Sequence, residues 1–359
     1  MKISNRLGKL RQRMAEKEIE AVLISQPENR HYLSGFSGSA GLLLITQESA
    51  ILATDFRYVE QAGQQALDYD IFNTKGDIEG WLPELIDGLN IRRLGFESDH
   101  LNFDMYHRLS NILDDAEPQT RLVPITGLVG PIRAVKEPEE IGLITQAVAI
   151  SDAALGKVAL EIQVGMTEEE VAWEIEKALH DNGSQPLPFD VIVASGPNAA
   201  LPHAKPSRRA IQQSEPIVID IGARIQGYCS DLSRTIYLGT TDDTFKKVYR
   251  AVLEAQMAAI ANTTEGMTGA QADGLAREVI GKANYGYNFG HGLGHGLGLA
   301  PHEKPYLSPN SEDALVNNMV FTIEPGIYIS GWGGVRIEDT VIMENGRIRV
   351  LSQAQKMEV

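Results

Sequence analysis

The chain has 359 residues, 43% of them hydrophobic and 22% charged, a globular balance in a chain too long for one ordinary core, so two domains are expected. Its formal net charge of −16 opposes binding to nucleic acid or to an anionic membrane surface. The single cysteine, Cys229, excludes an internal disulfide and fits a reducing compartment; MKISNRLGKL has no apolar core of a leader and no run approaches about 18 apolar residues, so a cytoplasmic protein is expected.

In chain order, Asn5–Lys17 has helical spacing, Ala21–Ile24 reads as a short apolar strand, and a turn-rich passage leads to a buried run at Gly41–Ile45. Ile51–Ala53 predicts another strand before a helix from about Phe56 to Leu67. Leu94–Glu97 and a helix near Phe103–Leu113 complete an α/β unit. Its acids Asp55, Glu97, Asp99 and Asp104 have no motif-like spacing, so structural or surface roles are expected rather than a nuclease-like metal cluster. Prolines and glycines cluster in LVPITGLVGPIRAVKEPEE, which places the boundary near Gly130 and gives domains 1–131 and 132–359. Pro138 followed by Glu139 and Glu140 is a helix-start signal.

The second domain contains itself twice. A long helix, about Pro138 to Ile162, ends at Val164-Gly165-Met166-Thr167, where Thr167 and Glu170 form a capping box for the next helix. A second long helix, about Asp243 to Asn262, ends at Glu265-Gly266-Met267-Thr268, again before a shorter helical run. Each pair is followed by Pro-His (Pro202-His203, Pro301-His302), by a strand ending acid-x-Gly (Asp220-Ile221-Gly222, Glu324-Pro325-Gly326), and by an acid on a returning strand (Asp231, Glu338). The offsets run in order from 99 to 107 residues, as expected of a duplicated α/β half facing its copy across a pseudo-twofold axis. Two carboxylates per half then converge on one cleft.

In the first half, PIVIDIGARIQGYCSDLSRTIYL, Pro216 to Leu238, reads as a hairpin. A turn centred between Ile225 and Gln226 sets Asp220 directly opposite Asp231, their carboxylates repelling unless a cation lies between them. Alone, the pair is better read as a solvated acidic face. The second half adds FGHGLGHGLG, Phe289 to Gly298. Its spacing fits neither the P-loop nor the dinucleotide pattern, which leaves His291 and His295 as its chemical content and glycine as a means for the backbone to pass close beside a packed site. In GVRIEDTVI, period two puts Arg336, Glu338 and Thr340 on one face, with the arginine able to hold a ligating carboxylate ionised. Four carboxylates and an imidazole suit two Mn²⁺-type ions better than a closed zinc site, and Co²⁺ or Zn²⁺ are accepted by the same ligands. A hydroxide shared by two such ions is a nucleophile at neutral pH.

Together these residues resemble a known family. YLSGFSGSAG from Tyr32 and TDFRYVEQA from Thr54 are similar to the N-terminal domain of the creatinase and prolidase family. Asp220, Asp231, His295, Glu324 and Glu338 look like the five metal ligands of the "pita-bread" metallopeptidases, spaced as in aminopeptidase P and prolidase. The resemblance spans essentially the whole chain and implies an α/β (α+β) architecture, an RNase H-like creatinase-type domain followed by the duplicated pita-bread catalytic domain. It implies that Asp220 binds one metal, His295 and Glu324 the other, and that Asp231 and Glu338 bridge them, with Glu324 also shuttling a proton to the leaving amine. His203, His291, His302 and Arg336 match positions beside the metals or in contact with substrate. The implied activity is a metallo-exopeptidase, Xaa-Pro dipeptidase or Xaa-Pro aminopeptidase, acting on peptides with proline second, and the implied assembly is a homodimer. The alternatives are a metal-free creatinase-type amidinohydrolase and a non-catalytic peptide-binding relative; the intact ligand set argues against both.

Smaller features have plainer readings. Cys229 is expected to be an inert buried residue, although it shares strand parity with Asp231. Trp332 either lines a substrate pocket or packs a loop. Tyr228 and Tyr237 are expected to pack the sheet, and Arg208–Arg209 to be a solvated pair.

Overall fold

The computed structural model describes residues 3–114 and 119–359, and the chain divides into two compact units, Met1–Arg133 and Ala134–Val359. The first contains α1 (Ile3–Glu16), β1 (Ala21–Ile24), α2 (Pro27–Ser34), β2 (Leu42–Thr46), β3 (Ala50–Asp55), α3 (Val59–Gln65), β4 (Asp70–Thr74), α4 (Ile78–Ile86), β5 (Arg93–Glu97), α5 (Phe103–Asp114), β6 (Arg121–Ile125) and α6 (Gly130–Ala134). Its six strands form one mixed sheet in the order β4-β3-β2-β1-β5-β6. The central strand β1 is buried at every position, which is why AVLI carries no alternation. Five elements have no counterpart in the sequence reading: α2, β4, α4, β6 and α6. The edge strand β4, DIFNT, has no fully buried residue, and α4 carries an internal proline, Pro83. Each blurs the periodicity on which recognition depends.

Of the acids named in this unit, Glu97 and Asp55 have structural partners, while Asp99 and Asp104 lie exposed. Glu97 accepts hydrogen bonds from the Ser25 and Gln26 amides at 2.6 and 2.7 Å and from Asn29 at 2.6 Å. It thereby satisfies amide groups at the start of α2, whose own N-cap, Gln26, makes no side-chain cap bond. Asp55 is paired with Arg57 at 2.8 Å.

The second unit contains α7 (Pro138–Ala159), α8 (Glu168–Asp181), β7 (Ile192–Ser195), β8 (Pro216–Ile221), β9 (Arg224–Ile225), β10 (Tyr228–Cys229), β11 (Leu232–Tyr237), α9 (Asp243–Asn262), α10 (Gly269–Lys282), β12 (Gly294–Gly296), β13 (Glu303–Leu307), β14 (Val320–Ile323), β15 (Gly326–Ile329), β16 (Gly333–Arg336), β17 (Asp339–Glu344) and β18 (Arg347–Val350). The internal copy is visible element by element. The helix pair α7–α8 and strands β8 to β11 correspond to α9–α10 and β14 to β17. Both second helices open on a capping box, Thr167 with Glu170 and Thr268 with Gln271. Each half has its own apolar core between helices and sheet, one around Val171, Ile175, Ile217 and Ile219, the other around Phe245, Val252, Phe321 and Ile323.

Two expectations about the strands need correction. The hairpin closes on Gln226 and Gly227, both with positive φ (+47° and +87°), the requirement of a type I′ turn. Asp220 therefore faces Ser233 rather than Asp231. Moving the turn centre by one residue changes the partner by two, which preserves the face, so Asp220 and Asp231 still line one cavity. The stretch GVRIEDTVI is likewise two strands, not one: β16 pairs with β15 and β17 with β14. At the break the Glu338 amide donates to the Ser233 carbonyl of the other half at 3.0 Å.

Contrary to expectation, one segment among the described residues, α7, is long and apolar enough by composition to cross a membrane. It opens on Glu139 and Glu140 and buries Leu143, Ile144, Ala147, Val148, Ala154 and Leu155, the arrangement of a core helix.

Candidate metal centre

Asp220 lies one residue from the end of β8 and Glu324 directly follows β14, while Asp231 and Glu338 immediately precede β11 and β17. The duplication thus delivers one carboxylate from each outgoing strand end and one from each returning strand start. His295 is the middle residue of β12, and its strand lies so close to its neighbours that no side chain fits beside it. A Cβ on Gly294 would meet the Thr322 carbonyl oxygen at 2.1 Å, and one on Gly296 the Lys304 carbonyl oxygen at 2.1 Å. This close approach explains the glycines at 292, 294, 296 and 298, whereas Gly290 has open space around it.

All nine positions singled out from the sequence (His203, Asp220, Asp231, His291, His295, His302, Glu324, Arg336 and Glu338) line one cavity of about 800 Å³. Donor atoms of Asp231, His295 and Glu338 all lie within 4.8 Å of one another. His295 Nε2 is 3.2 Å from Glu324 and 3.7 Å from Asp231, while its Nδ1 faces the Gly296 carbonyl at 3.1 Å, an arrangement that leaves Nε2 available to a cation. Asp220 Oδ2 accepts from Arg336 Nη2 at 2.6 Å, whereas Asp220 Oδ1 is buried with no hydrogen-bond partner among the described residues.

The electrostatics describe a site short of positive charge. Burial raises Asp231 well above the ordinary carboxylate range, reinforced by Glu338, Asp220 and Glu324. Glu338 is raised in the same way, by burial and then by Glu324 and Asp220. Asp220 is raised by burial against the opposing pull of Arg336. In Glu324, burial is outweighed by the hydrogen bond and charge of His295, which hold it at about 2. Buried carboxylates in mutual repulsion, one with an unpartnered oxygen, fit divalent cations of the oxygen-preferring type.

Residues absent from the sequence reading hold this arrangement in place. Ser233 Oγ donates to Glu338 at 2.7 Å and accepts from Arg336 Nε at 2.8 Å. Tyr328 joins Arg336 Nη1 and His291 Nε2, each at 3.0 Å. Thr322 Oγ1 donates to Glu324 at 2.9 Å and accepts from the His295 amide at 3.1 Å. The buried Glu168 accepts from Ser195, Asn198 and Ser207, bracing the segment that presents His203. Strand parity could have marked Ser233, which shares a face with Asp231. Thr322 stands two residues before Glu324 and Tyr328 eight before Arg336, but Thr and Tyr are too common in strands for that proximity to mark them.

His203 and His302 are exposed to the cavity, and the His302 ring lies 4.1 Å from that of His295. Burial, then the His295 charge, lowers the His302 pKa, favouring a neutral ring at pH 7. Cys229 and Trp332 are not part of the lining: Cys229 is buried with its amide on the Gly298 carbonyl, and Trp332 packs against the second-half core. Tyr228 and Tyr237 are buried. Arg208 is solvated, but Arg209 is not: it pairs with Glu215 at 2.6 Å and donates to Ser195.

A buried carboxylate–imidazole cluster between the halves of a duplicated α/β unit defines the class, a metal-dependent hydrolase. The chain belongs to metallopeptidase family M24, which matches residues 142–345, and the Creatinase/Prolidase N-terminal domain matches residues 6–135. Within it the chain is similar over its whole length to an uncharacterised peptidase of Bacillus subtilis (38% identity, covering 98% of both chains). Among solved structures it is similar to an Xaa-Pro dipeptidase from Bacillus anthracis (38% identity, 100% of this chain and 99% of that one, TM-score 0.96). It is also similar to an X-Pro aminopeptidase from Thermotoga maritima (36% identity, 98% of both, TM-score 0.88).

Proposed function

We propose that this chain is a two-metal exopeptidase that hydrolyses the bond between a first residue and proline. Asp220, Asp231, His295, Glu324 and Glu338 would hold two divalent ions, Mn²⁺ by preference. The observation that carries this is the convergence of Asp231, His295 and Glu338 within 4.8 Å, beside the unpartnered oxygen of Asp220. Divalent ions bound there supply Lewis-acid polarisation of the scissile carbonyl and acidify a water.

The chain's own groups do the rest. Arg336 keeps Asp220 ionised and oriented through its 2.6 Å contact. Ligation requires neutral imidazole, so a cation would replace the proton that His295 shares with Glu324; released from that contact, the Glu324 carboxylate is placed to carry a proton to the leaving nitrogen. His203 and His302, open to the cavity, supply hydrogen-bond donors for the oxyanion. The proline nitrogen has no N–H to donate and its ring fixes φ. A site that positions the carbonyl and substrate ends, without needing that N–H, handles this bond where a general peptidase does not.

The test is metal analysis together with hydrolysis of Ala-Pro and Ala-Pro-Ala by the Mn²⁺-loaded protein. About two ions per chain and release of alanine are expected. One ion or none would overturn the two-metal centre, and an intact two-ion protein that cleaves neither peptide would overturn the proline specificity.

A further inference from the structure

The cavity reaches beyond the carboxylate cluster. At about 800 Å³ it lies in the upper part of the range that encloses drug-sized ligands. Part of its lining is a single helix face: Glu169, Ala172, Trp173 and Glu176 of α8 recur at i, i+3, i+4 and i+7. No side chain of this face hydrogen-bonds to the cluster among the described residues. Trp173 turns 65% of its surface to solvent, an aromatic surface within a substrate cavity rather than in the core. Glu169 carries only a solvent-exposed contact with Arg208 at 3.7 Å, and Glu176 makes no ion pair among the described residues. Away from the cluster, the remaining charged groups of the lining are Asp190 and Lys205, so carboxylates outnumber ammonium groups and the wall attracts positive charge.

We propose that the α8 wall is a subsite for the residue after proline in peptides of three or more residues, and that it selects a cationic side chain there. The charged group stacks on Trp173 and pairs with Glu176; the proposal rests on the Xaa-Pro reading above. A dipeptide ends at proline and leaves this wall unused.

The test uses the Mn²⁺-loaded protein and C-terminally amidated Ala-Pro-Lys, Ala-Pro-norleucine and Ala-Pro-Glu, with Ala-Pro alongside. Amidation removes the terminal carboxylate, and norleucine matches lysine without its charge. The lysine peptide is expected to exceed the norleucine peptide in kcat/KM by about fivefold, with the glutamate peptide slowest. This ratio should fall toward one in Trp173→Ala and Glu176→Gln and shrink with added salt. A general structural defect would lower all the peptides together and leave the ratio intact, which counts against the subsite. Equal turnover of the amidated peptides, or turnover of Ala-Pro alone, overturns the subsite while Xaa-Pro hydrolysis stands. Cleavage of none of them removes the Xaa-Pro reading, and the subsite with it.

Discussion

Ser233 and Tyr328 show how single residues set the chemistry of the cluster. Each is a hydroxyl between charged groups, Ser233 between Glu338 and Arg336, Tyr328 between Arg336 and His291. In Tyr328→Phe the ring packing is kept and two hydrogen bonds are lost, so kcat/KM is expected to fall by about tenfold with metal content unchanged, checked by steady-state kinetics beside elemental analysis. Asp231→Asn should separate from it. Losing a carboxylate at the centre of the cluster should strip metal from the protein and abolish turnover together, and full metal occupancy in that variant would contradict the assignment of Asp231 as a ligand. His302→Ala is a third case, with ions retained and kcat lowered by about 10² to 10³ if it donates to the oxyanion. The proposed ligands were legible because two carboxylates recur at matched positions in each half and His295 stands in a run of alternating glycines. Of the hydroxyls that orient them only Ser233 had a signal, its strand parity with Asp231; Thr and Tyr are too common in strands to stand out, and the Ser233 partner Glu338 lies 105 residues away.

At the scale of elements, the capping boxes and the close strand contacts add to the stability of the two apolar cores. Thr167 accepts from the Glu170 amide while Glu170 accepts from the Thr167 amide, so Thr167→Ala should cost about 1 kcal/mol in denaturant unfolding without altering the site. Gly294→Ala is of another order. Its Cβ would overlap the Thr322 carbonyl oxygen, and since backbone cannot move aside cheaply, β12 would shift and carry His295 with it. Destabilisation of about 1–3 kcal/mol is expected together with weaker metal binding; a fully metallated, normally stable variant would show that the strand can yield. The hairpin is legible in the sequence with its turn displaced by one residue. Gln226 has no sequence signal for positive φ as strong as the glycine beside it, so the turn centre read from the sequence lies one residue early. The error left the face of Asp220 intact because strand parity has a period of two.

Taken as a whole molecule, the second unit trades folding stability for a concentrated negative charge. Asp231 and Glu338 have pKa values raised well above their ordinary values of 3.8 and 4.5. A group whose folded-state pKa is raised contributes stability that is complete below the unfolded value and lost as pH rises through the folded one. Metal-free protein should therefore lose thermal stability from these groups as pH rises above the ordinary carboxylate range. Bound cations favour the ionised carboxylates, so the Mn²⁺-loaded protein should not show that loss. The measurement is Tm against pH for chelator-treated and reconstituted protein; a gap that widens with pH is expected, and parallel curves would argue against cations at this cluster.

By itself the sequence determined the class of fold, the duplication, and the side chains that meet in the cavity. The duplication and its paired carboxylates follow from short-range pattern repeated at matched offsets, while the class of fold and the surrounding histidines rest on the family resemblance that those residues carry. Tertiary structure alone decided which residue faces which across the hairpin, where GVRIEDTVI breaks, that Arg209 serves Glu215 rather than solvent, and that the α8 face with Trp173 borders the same cavity as His295. Each of these depends on distances between segments far apart in the chain, which turn geometry and packing fix only once the whole unit has closed.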